Sequence, residues 1–318
     1  MTLVPSAPIM PFASVHKTPR PLGIGFSYLP AFPAEFYRTE LLDFVEMTPE
    51  KLCRARWDGG FFKLDLVSEK IDTAQQACHD LPLVVHGIEL SIGSAAGWNG
   101  GYLEMLDRFQ ERWPFRWHSE HLSYQTIPRD AGGATSIGTP LPLPGGMEAV
   151  QLVGERAREI NRRYGVPFLL ENPAHYLREL PYESPIGDEF DLMAAVTDHG
   201  ECGQLLDLHN LYCNAINHGF DLSAALDRIA LDRVSEIHVA GGRWESRFWV
   251  DAHDSLVPEP VWNLLAATLP RCPNLAGIVF ELLDFFAPTV GVEAVTAELR
   301  RMQDVWHRFG PADGAARH

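Results

Sequence analysis

The chain predicts an α/β fold, a closed (β/α)8 barrel, on three observations. Eight short apolar runs recur roughly 20 to 50 residues apart, the spacing that strand–helix–strand units require. Amphipathic stretches separate them. No G-x-G-x-x-G follows the first run, which argues against the rival doubly wound sheet.

In order, the expected strands are "LGIGF" (22–26), "DFVEM" (43–47), "LPLVVH" (81–86) and "FRWHSE" (115–120). Then come "PFLLEN" (167–172), "GQLLDL" (203–208), "VSEIHV" (234–239) and "AGIVFE" (276–281). Among the helices, "MEAVQLVGERAREINRRYG" (147–165) has apolar residues at helical spacing and stops at glycine. "DLSAALDRI" (221–229) opens with an aspartate in the N-cap position, and "VEAVTAELRRMQDVWHRFG" (292–310) repeats the first pattern. The longest stretch expected to be irregular, Pro128 to Gly146, follows the fourth strand and reads as an active-site loop.

A length of 318 residues and a hydrophobic content of 46 % suit one barrel with a sizeable core. No Pro/Gly/Ser linker divides the chain. The expectation is a single domain over 1–318, with the barrel at about 21–310. The first twenty residues hold four prolines and read as a loose arm; the tail "GPADGAARH" reads as disordered.

The formal net charge is −16, from 42 acidic and 26 basic residues. With no local basic patch apparent, this argues against nucleic acid as a partner. Five widely spaced cysteines without a CxxC pair do not make a disulfide framework and point to a reducing, cytoplasmic setting. No signal peptide or membrane-length apolar run is evident, so no membrane association is expected.

Reacting groups of such barrels gather at the C-terminal strand ends. Here those ends carry His86, Glu120, Glu171-Asn172, Asp207, His238 and Glu281, and "VDAHD" adds Asp251 and His253 after the seventh strand. Imidazole and carboxylate without cysteine suit Zn, Mn or Fe, and the donors outnumber the needs of one ion. Each residue alone has a plainer explanation: a packed histidine, an Asx turn in "DAHD", or a Glu120–Arg116 ion pair. Six strand ends at one depth outweigh these together. His118, His121, His175 and His218 lack that support, and alternation from Glu120 would turn His121 to the other side. Cys202 and Cys213 read as packed thiols. In "LLDLHNLYCNAINHGFD" (205–221), Asp207 belongs to the ring, His209 or Asn210 is one further candidate, and Asn217 and His218 read as a loop before Asp221.

The motifs "VVHGIELSIGS" (84–94), "SEHLSY" (119–124), "LPLP" (141–144), "LLENPAHYL" (169–177), "LLDLHNLYCNAINHGFD", "EIHVAGG" (236–242) and "VDAHD" (250–254) resemble those of the multinuclear non-heme iron-dependent oxidases, which include MbnB and TglH. The resemblance runs from about Leu22 to Glu281. It implies a xylose isomerase-like barrel and two or three iron ions in mixed Fe(II)/Fe(III) valence, with O2 as co-substrate. It also implies modification of a ribosomally made precursor peptide, often at cysteine, with a small partner protein presenting the peptide. Carried onto this chain, the metal positions are His86, Glu120, Asn172, Asp207, His238, Asp251, His253 and Glu281, with Asp251 and His253 also catalytic. The family's "EVHxEN" after strand two reads "EMTPEK" here, with Thr48 in place of its histidine and Lys51 in place of its asparagine. His209, where the motif usually has asparagine, is the candidate to compensate. The alternatives are a divalent-metal hydrolase or isomerase of the endonuclease IV or xylose isomerase type, and a catalytically weakened barrel that only binds peptide.

Overall fold

The computed structural model describes residues 18–57, 61–129, 134–177 and 185–311. Most of the expected arm and tail lie outside the described residues. Eight parallel strands close a barrel: β1 (Gly23–Ser27), β2 (Phe44–Met47), β3 (Leu83–Gly87), β4 (His118–His121), β5 (Phe168–Glu171), β6 (Gly203–Asp207), β7 (Val234–Ala240) and β8 (Gly277–Glu281). Each strand pairs with its sequence neighbours, and β1 pairs with β8 to seal the ring. All eight strands expected from the apolar runs are present.

The helices form the outer layer. Met147–Tyr164 ends on Gly165 at φ +68°, a left-handed cap that glycine adopts without steric cost. Val292–Phe309 is the other long helix. Asp221 caps the short helix Leu222–Leu226, accepting from the Ala224 N–H at 2.8 Å.

Two expectations about connecting segments do not hold. The Pro128–Gly146 region is not irregular for most of its length. Ala134–Pro142 pairs antiparallel with Ser123–Pro128, and β-branched Thr126, Ile127, Thr135 and Ile137 favour that ribbon despite the flanking glycines and prolines. Nor do Asn217 and His218 fall in a loop, since "LHNLYCNAINH" runs as one segment. It is the helix Leu208–His218, capped at its start by the Asp207 side chain and at its end by Gly219 at φ +78°.

Inside the barrel the residues fall in layers. The floor is apolar: Phe44, Val84, Trp117, Leu169, Leu205, Ala276 and Val279 form one fully buried cluster. Phe44 fills the axis because Gly25 and Gly277 flank it; a Cβ at either position would collide with its ring. Above this floor, toward the C-terminal strand ends, the interior turns polar.

Candidate metal centre

Side chains alternate across a strand, so each floor residue fixes which later residues share its face. Two steps beyond Phe44, Val84, Leu169, Leu205 and Val279 stand Glu46, His86, Glu171, Asp207 and Glu281. Two and four steps beyond Trp117 stand Ser119 and His121; on β7, Glu236 is followed by His238. These polar residues converge. Ligand-type atoms of His86, His121 and Glu171 lie within 4.8 Å of one another, as do those of Glu171, Asp207 and His238, of Glu46, His238 and Glu281, and of Asp207, His253 and Glu281. Glu171, Asp207, His238 and Glu281 each belong to two groups, so the donors form one continuous cluster.

Hydrogen bonds set the ring orientations. Ser119 Oγ donates to the Val85 carbonyl and therefore accepts from His86 Nδ1–H at 3.0 Å, leaving the Nε2 lone pair facing Glu171. His238 Nε2–H donates to Glu46 Oε2 at 2.9 Å, and Ser27 Oγ holds the other Glu46 oxygen at 3.2 Å. This leaves His238 Nδ1 aimed at Glu281. A carboxylate that fixes an imidazole tautomer in this way is the usual support behind a metal-binding histidine.

Asp251 and His253 enter from the chain after β7. Their ring nitrogen and carboxylate oxygen lie 2.7 Å apart. His253 adopts φ +46°, an uncommon conformation for a residue with a side chain, and its carbonyl accepts the Leu283 N–H at 2.9 Å. Asp251 is gripped by His209, whose Nδ1 lies 2.8 Å from Oδ1, while its N–H donates to Tyr176 Oη at 3.0 Å.

The structure therefore gathers His86, Asp207, His238, Asp251, His253 and Glu281, six of the eight positions expected from sequence. It turns the other two away. Glu120 faces outward from β4, 3.1 Å from His118 Nε2 and against Tyr102, in a space that exists because residue 87 is glycine. Asn172 is spent on the backbone of Asp207: its Nδ2 donates to the carbonyl and its Oδ1 accepts the N–H, both at 2.9 Å. The residues that face inward are His121 and Glu171. His121 faces inward, against the alternation expected from Glu120, because Trp117 on the floor sets the phase of β4.

Glu46 was also missed; the sequence signal was its phase with Phe44. Of the two further candidates, His209 has no free donor atom and Asn210 has one. His209 Nε2 accepts from Trp249 Nε1–H at 3.1 Å, so Nδ1 carries the hydrogen that Asp251 receives. His209 thus positions Asp251 and does not stand in for the histidine absent at Thr48. Asn210 donates through Nδ2 to Glu171 Oε1 at 3.0 Å, and its Oδ1 is buried without a hydrogen-bond partner. Cys213 lies 3.8 Å from the His209 ring, and all five cysteines are buried and free, as packed thiols should be.

The electrostatics are mixed. Burial disfavours a charge on His238 and His253, but Glu281 and Glu46 outweigh it and raise His238, and Asp251 and Glu281 raise His253 to about 10. Burial dominates at Glu171, Asp207, His86 and His121. Burial pushes Glu171 well above the carboxylate range, with Asp207 adding to it, and lifts Asp207 itself to about 6. Burial also lowers His86, helped by His121, and brings His121 down to about 4. Burial pushes Asp251 up too, but His253 and His209 outweigh it and hold this carboxylate below its usual range.

Several pairs face each other without hydrogen-bond geometry. His86 and His121 Nε2 each lie 3.3 Å from Glu171 Oε2, and His238 Nδ1 lies 3.1 Å from Glu281 Oε2. Glu171 Oε2, Asp207 Oδ2, His238 Nδ1 and His253 Nε2 are buried atoms without a hydrogen-bond partner. Donors bonded to one ion at roughly 2.1 Å and right angles stand roughly 3 Å apart. The residues present therefore fit divalent or trivalent metal ions bound through nitrogen and oxygen.

No helix among the described residues is long and apolar enough to cross a membrane. Comparison with known structures finds the same architecture. D-psicose 3-epimerase from Clostridium cellulolyticum H10 superposes with a TM-score of 0.53 at 12 % identity, covering 91 % of this chain and 100 % of that one. A xylose isomerase-like TIM barrel protein from Mycobacterium smegmatis gives 0.51 at 13 % identity, covering 92 % and 99 %. Such identities carry the fold alone. In sequence, a UPF0276 protein of Neisseria meningitidis serogroup C is 30 % identical over 266 residues, 82 % of this chain and 86 % of that one. A UPF0276 protein of Anaeromyxobacter sp. (strain Fw109-5) is 34 % identical over 200 residues, 63 % and 68 % respectively. The sequence model described as RiPP precursor modification enzyme MbnB/TglH/ChrH matches residues 22–307, and with a match of that extent the chain belongs to this family of precursor-modifying enzymes.

Proposed function

We propose that the protein is a multinuclear non-heme iron oxidase that uses O2 to modify a residue, of cysteine type, in a ribosomally synthesised precursor peptide. The observation that carries the reading is the set of buried imidazole nitrogens and carboxylate oxygens about 3 Å apart without hydrogen-bond geometry, in a chain of a precursor-modifying family. His86, His121, Glu171, Asp207, His238, Asp251, His253 and Glu281 would hold the metal. When bound, two or three iron ions in mixed Fe(II)/Fe(III) valence supply the one-electron chemistry with O2 that no side chain here provides.

The chain's own residues do the rest. Ser119 and Glu46 fix the His86 and His238 tautomers, so that both present a lone pair to the centre. The apolar floor around Phe44 and Trp117 closes the barrel from below, so substrate enters from the strand ends. Asp251 and His253 stand at that mouth and, with His121 and Glu281, are the partly exposed members of the cluster, so a substrate thiol meets this side first. His253 Nε2 lies 2.7 Å from Asp251 Oδ1, so the pair holds this carboxylate in place at the mouth.

Several loops after the strands expose apolar side chains, among them Ile88, Leu177, Trp244 and Phe285. This rim supports a small partner protein that presents the peptide. Five free cysteines support a reducing, cytoplasmic setting.

The test is metal analysis of anaerobically purified protein, then mass spectrometry of a precursor peptide encoded beside it. About two or more irons per chain are expected, with a peptide mass change only when O2 is present. A chelated, metal-free protein that still modifies the peptide would falsify the reading.

A further inference from the structure

We propose that the outer edge of the hairpin Cys53–Trp57/Phe62–Leu66 is a docking strand for an acidic, extended segment of the peptide substrate. The proposal rests on the peptide-modifying function proposed above, and extends it to where the substrate is held outside the reacting centre.

The hairpin is fixed at the barrel mouth. It begins seven residues after Glu46, behind the turn Pro49–Leu52. In that turn Glu50 Oε1 accepts the N–H groups of Ile88 and Glu89 at 2.8 and 3.1 Å, just past His86. Lys51 reaches Asp284 at 3.8 Å, just past Glu281. The base of the hairpin is thus tied to the loops that follow two donor-bearing strands.

Its two edges differ. The strand Phe62–Leu66 lies along the helix Gly100–Arg112, and Asn99 Nδ2 donates to the Phe62 carbonyl. Among the described residues the strand Cys53–Trp57 has no third strand beside it; the Cys53 carbonyl accepts from Lys70 Nζ at 3.3 Å, and Arg54 through Trp57 are exposed. Its register runs unbroken from Cys53↔Leu66 to Trp57↔Phe62, without bulge or proline. An open edge of this kind accepts an added strand through main-chain hydrogen bonds.

The side chains select what is added. Arg54 and Arg56 share one face with Lys63 and a single carboxylate, Asp65. In a chain of net charge −16, residues 51–66 hold four cations against two carboxylates. A second copy of the same edge would bring arginine against arginine, so the edge discriminates against self-pairing. The other face ends in Trp57 and Phe62, edge-to-face at 5.2 Å and 45 % and 37 % exposed. A strand alternating acidic and apolar residues matches both faces at the period of two that strand pairing imposes.

The experiment uses the full, metal-loaded chain and fluorescein-labelled synthetic peptides, one alternating Glu and Val, its counterpart alternating Lys and Val. Fluorescence anisotropy should show the Glu–Val peptide binding, more weakly at high salt, and the Lys–Val peptide not binding. Arg54→Glu with Arg56→Glu should weaken binding about tenfold or more, and Arg54→Gln with Arg56→Gln by less. Iron content and thermal melting of these variants should stay at wild-type values, since all four substitutions lie on exposed positions. Equal binding of both peptides, or unchanged binding by the charge-reversed variant, overturns the proposal. The two ideas fail separately: an enzyme that modifies its precursor with unchanged KM after charge reversal sinks only the docking strand. A protein that binds the Glu–Val peptide at Arg54 and Arg56 but modifies no precursor sinks only the oxidase.

Discussion

Two buried clusters of histidine and carboxylate lie on opposite faces of β4. The inner one joins His121 to His86, Glu171, Asp207, His238 and Glu281. The outer one joins His118 and Glu120 to Tyr102, with Glu50 close by. Both lie in low dielectric, and burial disturbs protonation in both: His118 falls to about 3 and Glu120 rises to about 8. They differ in convergence. The outer cluster offers one imidazole and a few oxygens that largely satisfy one another. The inner cluster aims donors from six strands at a shared space and leaves Glu171 Oε2, Asp207 Oδ2 and His238 Nδ1 unsatisfied there. The unsatisfied His118 Nδ1 and Glu50 Oε2 of the outer cluster share no such space. Perturbed protonation marks burial; convergence of unsatisfied donors marks a site.

The largest expected effect breaks the comparison outright. Glu171→Ala should cost the protein its iron and its peptide-modifying activity, since Glu171 belongs to two donor groups. Glu120→Gln should leave iron content at the wild-type level by elemental analysis. If Glu120→Gln loses iron and Glu171→Ala keeps it, the assignment of faces is wrong.

Chelation should come next in size. A ligand that binds only the folded state stabilises it by about 4 kcal/mol at a thousandfold excess over Kd. Removing metal should therefore lower Tm by several degrees in the wild type and leave the Tm of Glu171→Ala unchanged; calorimetry decides. Smaller effects belong to the supporting residues. Glu46→Ala and His209→Ala should each weaken iron binding about 10–100-fold, read by competition with a chelator, and neither should abolish it.

The smallest effect sharpens the outer cluster. Burial, with Glu120 adding to it, raises Glu50 from 4.5 to about 8. Between those values the unfolded chain has released the proton and the folded one still holds it. Stability from this group is therefore complete below pH 4.5 and lost as pH rises through about 8. Glu50→Gln, which keeps an acceptor for Ile88 and Glu89, should flatten that decline in a Tm-versus-pH series from 5 to 9. An unchanged slope would mean that Glu50 does not titrate there.

The barrel was legible because eight apolar runs and their spacing survive in any reading of the sequence. The site was legible only up to phase. Parallel strands are covered on both faces, so "PFLLEN" shows no polar–apolar alternation to say which side is in, and in "FRWHSE" the alternating Arg116, His118 and Glu120 are polar residues of the outer face. Reading the last polar residue of each run as inward is one residue early at β4, where His121 faces in, and one residue late at β5, where Glu171 does. What sets the phase is packing on the floor, by Trp117 and Leu169, a tertiary fact. Glu46 was hidden for the same reason, one turn of the pleat before Thr48. The hairpin cations escaped notice because Arg54, Arg56 and Lys63 are few and separated in sequence, and only cross-strand pairing puts them on one face.

Asn172 stands outside the donor cluster and clamps the main chain of Asp207 at two points. Such a clamp needs a donor and an acceptor on one flat group, which an aspartate lacks. Asparagine ages into aspartate when the next residue's backbone nitrogen attacks its side chain, and here that change would set an oxygen against the Asp207 carbonyl. The next residue is Pro173, whose nitrogen carries no hydrogen, so the cyclisation route is closed. The clamp is thus chemically durable: the residue that holds the sixth strand's carboxylate in place is shielded from its own commonest form of decay.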